Sequence, residues 1–437
     1  MKSISTLIDA KWIIPVVPAG LILENHSLAI KDDIIIDILP TDIAEEKYKP
    51  LDRFHLENQA LIPGLINTHT HTAMSLLKGF ADDLPLSEWL NNHIWPTEGK
   101  HVSPDFVYDG SQIAIAEMIR SGTTTFNDMY FFPESTAAAA SEAGIRACIG
   151  LIALEFPSAY AQNIDEYIAK GLELFEKYKS SELISTMFAP HAPYTVSPPA
   201  LERIQNLAKE NDLPIQMHIH ETAFEVEQAE KETGDTPLAN LNQIGFLTSK
   251  LLAVHMTQLT DAEISLISEK KVSVVHCPES NLKLASGFCP VAKLIDSQVN
   301  VCLGTDGSAS NNDLDMISEM RTAALLAKGV SKKADAVPAQ TALEMATING
   351  AKALGLENII GSLQHGKQAD ITAIDLGKIE SAPVYDPISQ IVYATSRSQV
   401  SNVWVAGRQL LNSGNLTTLK ESKLISKANQ WKQKISN

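Results

Sequence analysis

The 437-residue chain has only four cysteines, Cys148, Cys277, Cys289 and Cys302. They lie in or near apolar stretches and form no CxxC pair, which argues against a disulfide framework and suits a reducing compartment. Basic charge is also scarce. Lys and Arg number 35 against 52 Asp and Glu, a formal net charge of −17. That balance disfavours nucleic-acid polymers and anionic membranes, which are bound through basic patches. It leaves room for a small nucleoside-like ligand. No apolar run is long enough to span a bilayer, and the stretch Met1–Asp9 has no apolar signal core. A cytoplasmic enzyme is therefore expected. Internal repeats, low-complexity tracts and long linkers are missing too. What remains is an ordinary globular composition, 44% hydrophobic and 20% charged. It is long enough for a large core in one or two domains.

The clearest signal present is Asn67-Thr68-His69-Thr70-His71, which closes the apolar run Ala60–Ile66. Side chains alternate along an extended strand, so His69 and His71 face the same way. Two imidazoles on one face can grip one metal ion. Taken alone, the pair reads equally well as two polar residues in a strand-end loop.

Eight short strands are expected from residue 61 onward: Leu61–Thr68, Thr123–Asp128, Arg146–Leu151, Ile184–Ala189, Ile215–His220, Leu251–Val254, Val272–His276 and Val299–Gly304. Most are continuous apolar runs, as strands covered on both faces are. Helices punctuate them. Ser103-Pro104 opens one that stops near Gly122, and Ser197-Pro198 opens another with Leu201, Ile204, Leu207 and Ala208 at helical spacing. Thr260 to Glu263 reads as a capping box. This alternation, over roughly 300 residues, points to an α/β fold, a (β/α)8 TIM barrel. A doubly wound sheet fits less well, because no GxGxxG follows the first strand.

The two ends carry β-type segments instead, such as Ser27–Ile30, Ile34–Leu39, Ile371–Ile374 and Val403–Val405. They are expected to pair into one small β-sandwich domain, built from residues 1–62 and 363–437 and flanking a barrel of residues 63–362. A polar helix is expected from about Thr417.

Chemistry in such barrels sits at the C-terminal ends of the strands. Those ends carry His69 and His71, Asn127-Asp128, His191, then His218, His220 and Glu221, then His255, His276 and Asp306. Seven of the twelve histidines fall there. A lone histidine in such a place is usually a structural hydrogen-bonder, but a ring of them converging with one aspartate points to a metal centre. Histidine and oxygen ligands without cysteine suit zinc or another borderline divalent ion. Such an ion acidifies water to a pKa of ~7. No lysine ends the fourth strand to bridge a second metal, so one ion per chain is expected. Alternation does not choose between His218 and His220, which share parity. Glu221 has the other parity and reaches the site only if the chain turns as the strand ends.

The surrounding motifs are more specific. They comprise His69-Thr70-His71-Thr72-Ala73-Met74-Ser75-Leu76-Leu77-Lys78-Gly79-Phe80-Ala81-Asp82-Asp83-Leu84-Pro85-Leu86, Trp89-Leu90, Ile94-Trp95-Pro96-Thr97-Glu98 and Ala189-Pro190-His191-Ala192-Pro193-Tyr194. His218-Ile219-His220-Glu221-Thr222, Pro278-Glu279-Ser280-Asn281-Leu282-Lys283-Leu284 and Leu303-Gly304-Thr305-Asp306-Gly307-Ser308-Ala309-Ser310-Asn311-Asn312 follow. Together they resemble the amidohydrolase superfamily and, more closely, its methylthioadenosine/S-adenosylhomocysteine deaminase family, nearly end to end.

The resemblance places an HxxE motif on His218 and Glu221. It implies that His69, His71, His218 and Asp306 hold the metal, with His220 a bystander. Glu98 and His191 would bind substrate, the former at the ribose hydroxyls. The implied reaction is hydrolytic deamination of 5′-methylthioadenosine, S-adenosylhomocysteine or adenosine to the inosine analogue and ammonia. Asp306 would take a proton from water, His255 would polarise the attacking oxygen, and Glu221 would touch the purine and protonate its ring nitrogen. A nucleoside is the implied partner, zinc the implied cofactor, and a homo-oligomer the expected assembly.

Two alternatives stand beside this reading. One is another hydrolase of the superfamily, acting on guanine, a pyrimidine or a triazine. The other is a non-catalytic barrel scaffold, which predicts missing ligands. One departure is visible. Some members carry an arginine shortly after the third strand to meet the substrate tail, whereas here Leu151 stands near that place and Arg146 lies at the strand's start. Composition alone makes Glu98 a solvated loop carboxylate, and only the resemblance reverses that. It makes Trp89, Leu90 and Trp95 a helix face, His276 a core or supporting histidine, and Asp82-Asp83 a loop pair. Ser280 and Asn281 read as holding the strand-7 loop over the pocket.

Overall fold

The structure, a computed structural model, describes residues 1–436. The chain begins with β1 (Lys2–Ile13), β2 (Leu23–Lys31), β3 (Ile34–Pro40) and the long β4 (Tyr48–Pro63). Eight parallel strands then follow in chain order: β5 (Leu65–Thr70), β6 (Thr123–Asp128), β7 (Arg146–Ala153), β8 (Ile184–Pro190), β9 (Ile215–Ile219), β10 (Leu251–His255), β11 (Ser273–His276) and β12 (Val301–Leu303). Each pairs with the next, and helices cover the outside, giving the expected barrel. The seam between β12 and β5 is closed by hydrogen bonds. Asp306 N–H donates to the His69 carbonyl at 3.0 Å, and the Thr68 hydroxyl to the Leu303 carbonyl at 2.7 Å. Only glycine suits position 304 at this seam, because a Cβ there would stand 2.8 Å from the His69 nitrogen.

The chain ends form the second sheet, where β13 (Ile371–Asp375), β14 (Val400–Val405), β15 (Arg408–Asn412) and β16 (Asn415–Leu416) join β1–β4. Its eight strands are continuous, in the order β16-β15-β14-β13-β4-β1-β2-β3. The sheet bends strongly across β4. Phe54 and Trp404 would be far apart on a flat sheet, yet their ring centroids lie 5.3 Å apart. A buried cluster including Ile8, Leu28, Ile35, Leu61, Ile371 and Trp404 fills the fold between the layers.

The first expected strand, Leu61–Thr68, is corrected. Residues up to Pro63 belong to β4, in the end sheet, and the barrel starts only at Leu65. Pro63 has no N–H for a ladder, and Gly64 passes so close to β6 that a Cβ would sit 2.1 Å from Thr124 Oγ1. The single apolar run therefore serves two sheets. Ser197-Pro198 does open the helix Pro198–Glu210, without a side-chain cap. The Ser197 hydroxyl donates to Glu155 Oε1 at 2.8 Å and accepts from no N–H of the helix. Ser103 and Thr260 do cap theirs, the latter in a full capping box. The tail helix spans Glu421–Ile435 and buries Trp431, whose indole N–H donates to Asp109 at 2.9 Å. No described helix is long and apolar enough to cross a membrane.

Candidate active site

The ends of β5, β9 and β12 bring His69, His71, His218 and Asp306 together, with one ligand-type atom of each within 4.8 Å of the others. Alternation accounts for His69 near the end of β5 and His71 just past it. At the end of β9 the backbone breaks the alternation, because His220 adopts φ of +54°. This left-handed residue is the turn that brings Glu221 to the pocket, despite its parity. His220 is carried the other way. Its Nδ1 bonds the Gln258 carbonyl at 2.7 Å, and its Nε2 accepts from Leu238 N–H at 3.2 Å. Both ring nitrogens are used in the fold, so His220 stands outside the cluster. His255 and Asp306 also have positive φ, +76° and +62°. Left-handed non-glycine residues concentrate at sites of this kind.

Each histidine of the cluster is oriented through Nδ1. His69 meets Gln216 Oε1 at 3.2 Å, His71 the Met129 carbonyl at 2.6 Å, and His218 the His191 carbonyl at 2.8 Å. In the neutral rings, donating Nδ1–H to these oxygens leaves each Nε2 lone pair facing inward, the arrangement that metal-binding histidines take. His69 and His218 then point Nε2 at Nε2, 3.0 Å apart. Asp306 Oδ1 lies 3.4 Å from His69 Nε2 and 3.1 Å from His71 Nε2. Burial pushes the His69 and His218 pKa values down, so these rings are poor proton carriers. Burial opposes charge on His71 as well, yet Asp306 beside it raises its pKa to about 9, so a cation bound here takes the place of the Nε2 proton. Facing lone pairs and a carboxylate call for a cation, and a single divalent ion fits the donor set of three imidazoles and one carboxylate.

The second oxygen of Asp306 is held apart from the cluster. Oδ2 accepts from the Ser280 and Ser310 hydroxyls at 2.6 and 2.7 Å. Burial raises the Asp306 pKa, but its bonds to His69 and His71 outweigh that and leave it well below the usual range. His255 Nδ1 meets Asn281 Oδ1 at 2.9 Å, and its Nε2 lies 3.8 Å from Glu221 Oε2. Ser280 and Asn281 thus orient Asp306 and His255, a more direct task than holding a loop. Glu221 carries no close cationic partner. Burial, reinforced by Asp306, raises its pKa to about 8, so it is protonated at neutral pH. Burial lowers His191 to about 3 and keeps it neutral, with Nδ1 3.2 Å from Thr195 Oγ1.

Glu98 is not a solvated loop carboxylate. It turns into the same pocket, accepts from the Tyr130 hydroxyl at 2.5 Å, and is raised by burial to about 7. Trp89, Leu90 and Trp95 line the pocket with it. Asp82 pairs with Lys283 at 2.8 Å and accepts from Asn312 at 2.8 Å, tying loops together away from the metal ligands. His276 is buried, lowered by burial to about 3, and outside the cluster. Arg146 lies at the opposite barrel face, paired with Asp370. Sequence reasoning missed Gln216 and Tyr130. Gln216 sits two residues before His218 in a strand whose other residues are apolar, and that lone amide on the same face as a ligand histidine was the available signal.

The sequence pattern of the amidohydrolase family matches residues 60–410. A 5-methylthioadenosine/S-adenosylhomocysteine deaminase from Saccharophagus degradans is 50% identical over 429 residues, covering 98% of this chain and 96% of the relative. The chain belongs to the amidohydrolase family. Within it, the chain falls in the methylthioadenosine/S-adenosylhomocysteine deaminase branch. The crystal structure of an adenosine deaminase from Xanthomonas campestris with bound zinc superposes with a TM-score of 0.99 at 48% identity, covering 100% of this chain and 99% of that one. A triazine hydrolase variant superposes with a TM-score of 0.90 at 21% identity, covering 98% and 99%. At that identity the likeness shows the amidohydrolase fold alone.

Proposed function

We propose that this amidohydrolase is a zinc-dependent deaminase. It removes the 6-amino group of 5′-methylthioadenosine and related adenosine thioethers, giving the inosine analogue and ammonia. The catalytic unit is residues 63–362, supported by the sheet domain of residues 1–62 and 363–437. His69, His71, His218 and Asp306 hold the ion, whose contribution when bound is to acidify and activate water.

The chain's own groups do the rest. Asp306, fixed through Oδ2 by Ser280 and Ser310, takes the proton of the attacking water. His255, turned by Asn281, directs Nε2 at the attacking oxygen. Glu221 gives its proton to the ring nitrogen as water adds to C6; Asp306 then passes the water's proton to the 6-amino group, the C6–N bond breaks to release ammonia, and the C6 hydroxyl proton returns to Glu221 as the C6 carbonyl forms. His191, neutral, donates or accepts a hydrogen bond at the purine. Glu98, braced by Tyr130, accepts from the ribose hydroxyls. The observation that carries this reading is the buried Glu221 carboxyl, 3.8 Å from His255 Nε2 and lining one pocket with His71, His218 and Asp306 of the metal-type cluster.

The test is a substrate panel. Zinc-loaded protein is incubated with methylthioadenosine, S-adenosylhomocysteine, adenosine, adenine, guanine and a triazine, and ammonia release is followed. Turnover of the nucleosides ahead of the bare bases is expected. Turnover of guanine or the triazine, with none of any adenosine derivative, would overturn the reading.

A further inference from the structure

The acid of the proposed reaction sits on a turn with a costly backbone. His220 has φ of +54°, a region that a non-glycine residue keeps only where its surroundings impose it. Glu221 reaches the pocket through that turn. Among the described residues, its carboxyl makes no hydrogen bond to another side chain and stops 3.8 Å from His255 Nε2. Its position is inherited from the backbone that carries it.

Every backbone polar group of these two residues is tied down. The N–H groups of His220 and Glu221 donate to the two oxygens of one carboxyl, Glu225 Oε1 at 3.1 Å and Oε2 at 2.8 Å. Their carbonyls accept from one residue past the neighbouring strand. His220 O takes the Thr257 N–H at 2.9 Å, and Glu221 O the Thr257 hydroxyl at 2.7 Å. Two partners therefore grip the turn from its two sides.

Glu225 does more than end a helix. It is the third residue of the helix Ala223–Thr233, whose N-cap Thr222 accepts from Glu225 N–H at 3.3 Å. A glutamate there usually turns back to the N–H of the cap itself, as Glu263 does to Thr260 at 2.9 Å. Glu225 instead reaches past the cap, to the two residues before it. Thr257 supplies the other constraint. It follows His255 and Met256, both left-handed at φ of +76° and +49°. Its bonds lock the turn carrying the acid onto the turn carrying His255, across the paired strands β9 and β10.

We propose that Glu225 is a positioning residue for the proton donor. Its carboxyl, set against Thr257, holds the left-handed turn at His220 so that Glu221 meets the ring nitrogen beside His255. The proposal rests on the deaminase reading above and extends it to a residue that touches no reacting atom.

The experiment joins a double-mutant cycle, on the zinc-loaded full chain with 5′-methylthioadenosine, to hydrogen–deuterium exchange of the turn. Glu225→Gln keeps the size but faces an NH2 group toward one of the two N–H donors. It should lower kcat about 10–100-fold, the cost of a misplaced catalytic group, with zinc content unchanged. In the Glu221→Gln background no proton is left to position. There the same substitution should cost less than about threefold, because residues that act as a unit are not additive. A merely structural role would cost the same in both backgrounds. The amides of His220 and Glu221 should exchange about tenfold faster or more in Glu225→Gln, with β10 unaffected. Thr257→Val cuts only the hydroxyl side, and it decides the matter if Glu225→Gln does not fold. It should lower kcat roughly three- to tenfold, again only while Glu221 is present. The proposal is overturned if either folded variant costs as much without Glu221 as with it, or if Glu225→Gln leaves kcat or the exchange of the turn at the unaltered value. Absence of turnover of every adenosine derivative by the unaltered chain is failure of the deaminase reading instead, and the exchange result then decides by itself whether Glu225 holds the turn.

Discussion

Two groups of buried charges stand at opposite faces of the barrel, and they are built differently. At the face where the strands begin, Arg146 meets both oxygens of Asp370 at 3.1 Å. It also donates to the Glu182 carbonyl at 2.9 Å and to Gln368 at 2.6 Å. Each guanidinium nitrogen finds an acceptor, and the pair stitches β7 to the sheet made from the chain ends. At the face where the strands finish, His69, His71, His218 and Asp306 turn lone pairs and a carboxylate toward one another. Their outer nitrogens are satisfied by the fold, and their inner ones face only one another and Asp306. A closed network holds a fold together, whereas an acceptor set aimed inward is organised for a cation.

The largest break in this contrast is expected at Glu221. Glu221→Gln keeps the shape but removes the proton, so kcat should fall roughly 10²–10⁴-fold while metal content stays intact. The pH profile should change as well. Glu221 acts as an acid, so kcat/KM should decline as pH rises through the pKa that burial and Asp306 push up to about 8. That alkaline limb should be flat in the variant. An unchanged limb would assign the proton elsewhere.

Arg146→Met should do the reverse. Removing one partner strands a buried Asp370 and should cost about 3–5 kcal/mol of stability, read by denaturant unfolding. The kcat of each folded, metal-loaded molecule should be unchanged. A loss of kcat without loss of stability would mean that the two faces are coupled.

The strand ends were legible because chemistry concentrates there and period two holds in β5. Alternation put His69 and His71 on one face, and the other strand-end histidines with Asp306 made them ligands rather than loop residues. The choice of His218 over His220 was not legible from alternation, since it depends on one left-handed residue at the end of β9. Local sequence is a weak guide to a φ set by the loop packed above it. The apolar run from Ala60 to Ile66 hid its break for a related reason. Pro63 and Gly64 are the only marks, and their meaning comes from Thr124, distant in sequence. Glu98 looked solvated because what buries it, Tyr130 and the pocket walls, lies on other segments.

Gln216 sharpens the comparison at a smaller scale. It touches no ligand atom, yet it receives His69 Nδ1–H and is itself braced by Asn127 at 2.9 Å. Gln216→Leu should weaken zinc binding roughly 10–100-fold, measured by competition with a chelator, and excess zinc should restore much of the activity. If affinity is unchanged, the ring of His69 is held by packing alone. The smallest effect should be at His220→Gln. Metal content and kcat should both stay within about tenfold, because its nitrogens serve Gln258 and Leu238. Loss of the metal in this variant, with retention in His218→Gln, would reverse the assignment on β9.

The most direct test of the central claim is a metal titration. Zinc is added stepwise to metal-stripped full chain, and ammonia release from methylthioadenosine is recorded at each step. Activity should rise linearly from near zero, stop at one zinc per chain, and stay flat beyond it. Full turnover before any metal is added, or a rise that continues to two ions per chain, would contradict the reading of His69, His71, His218 and Asp306 as a single-ion site.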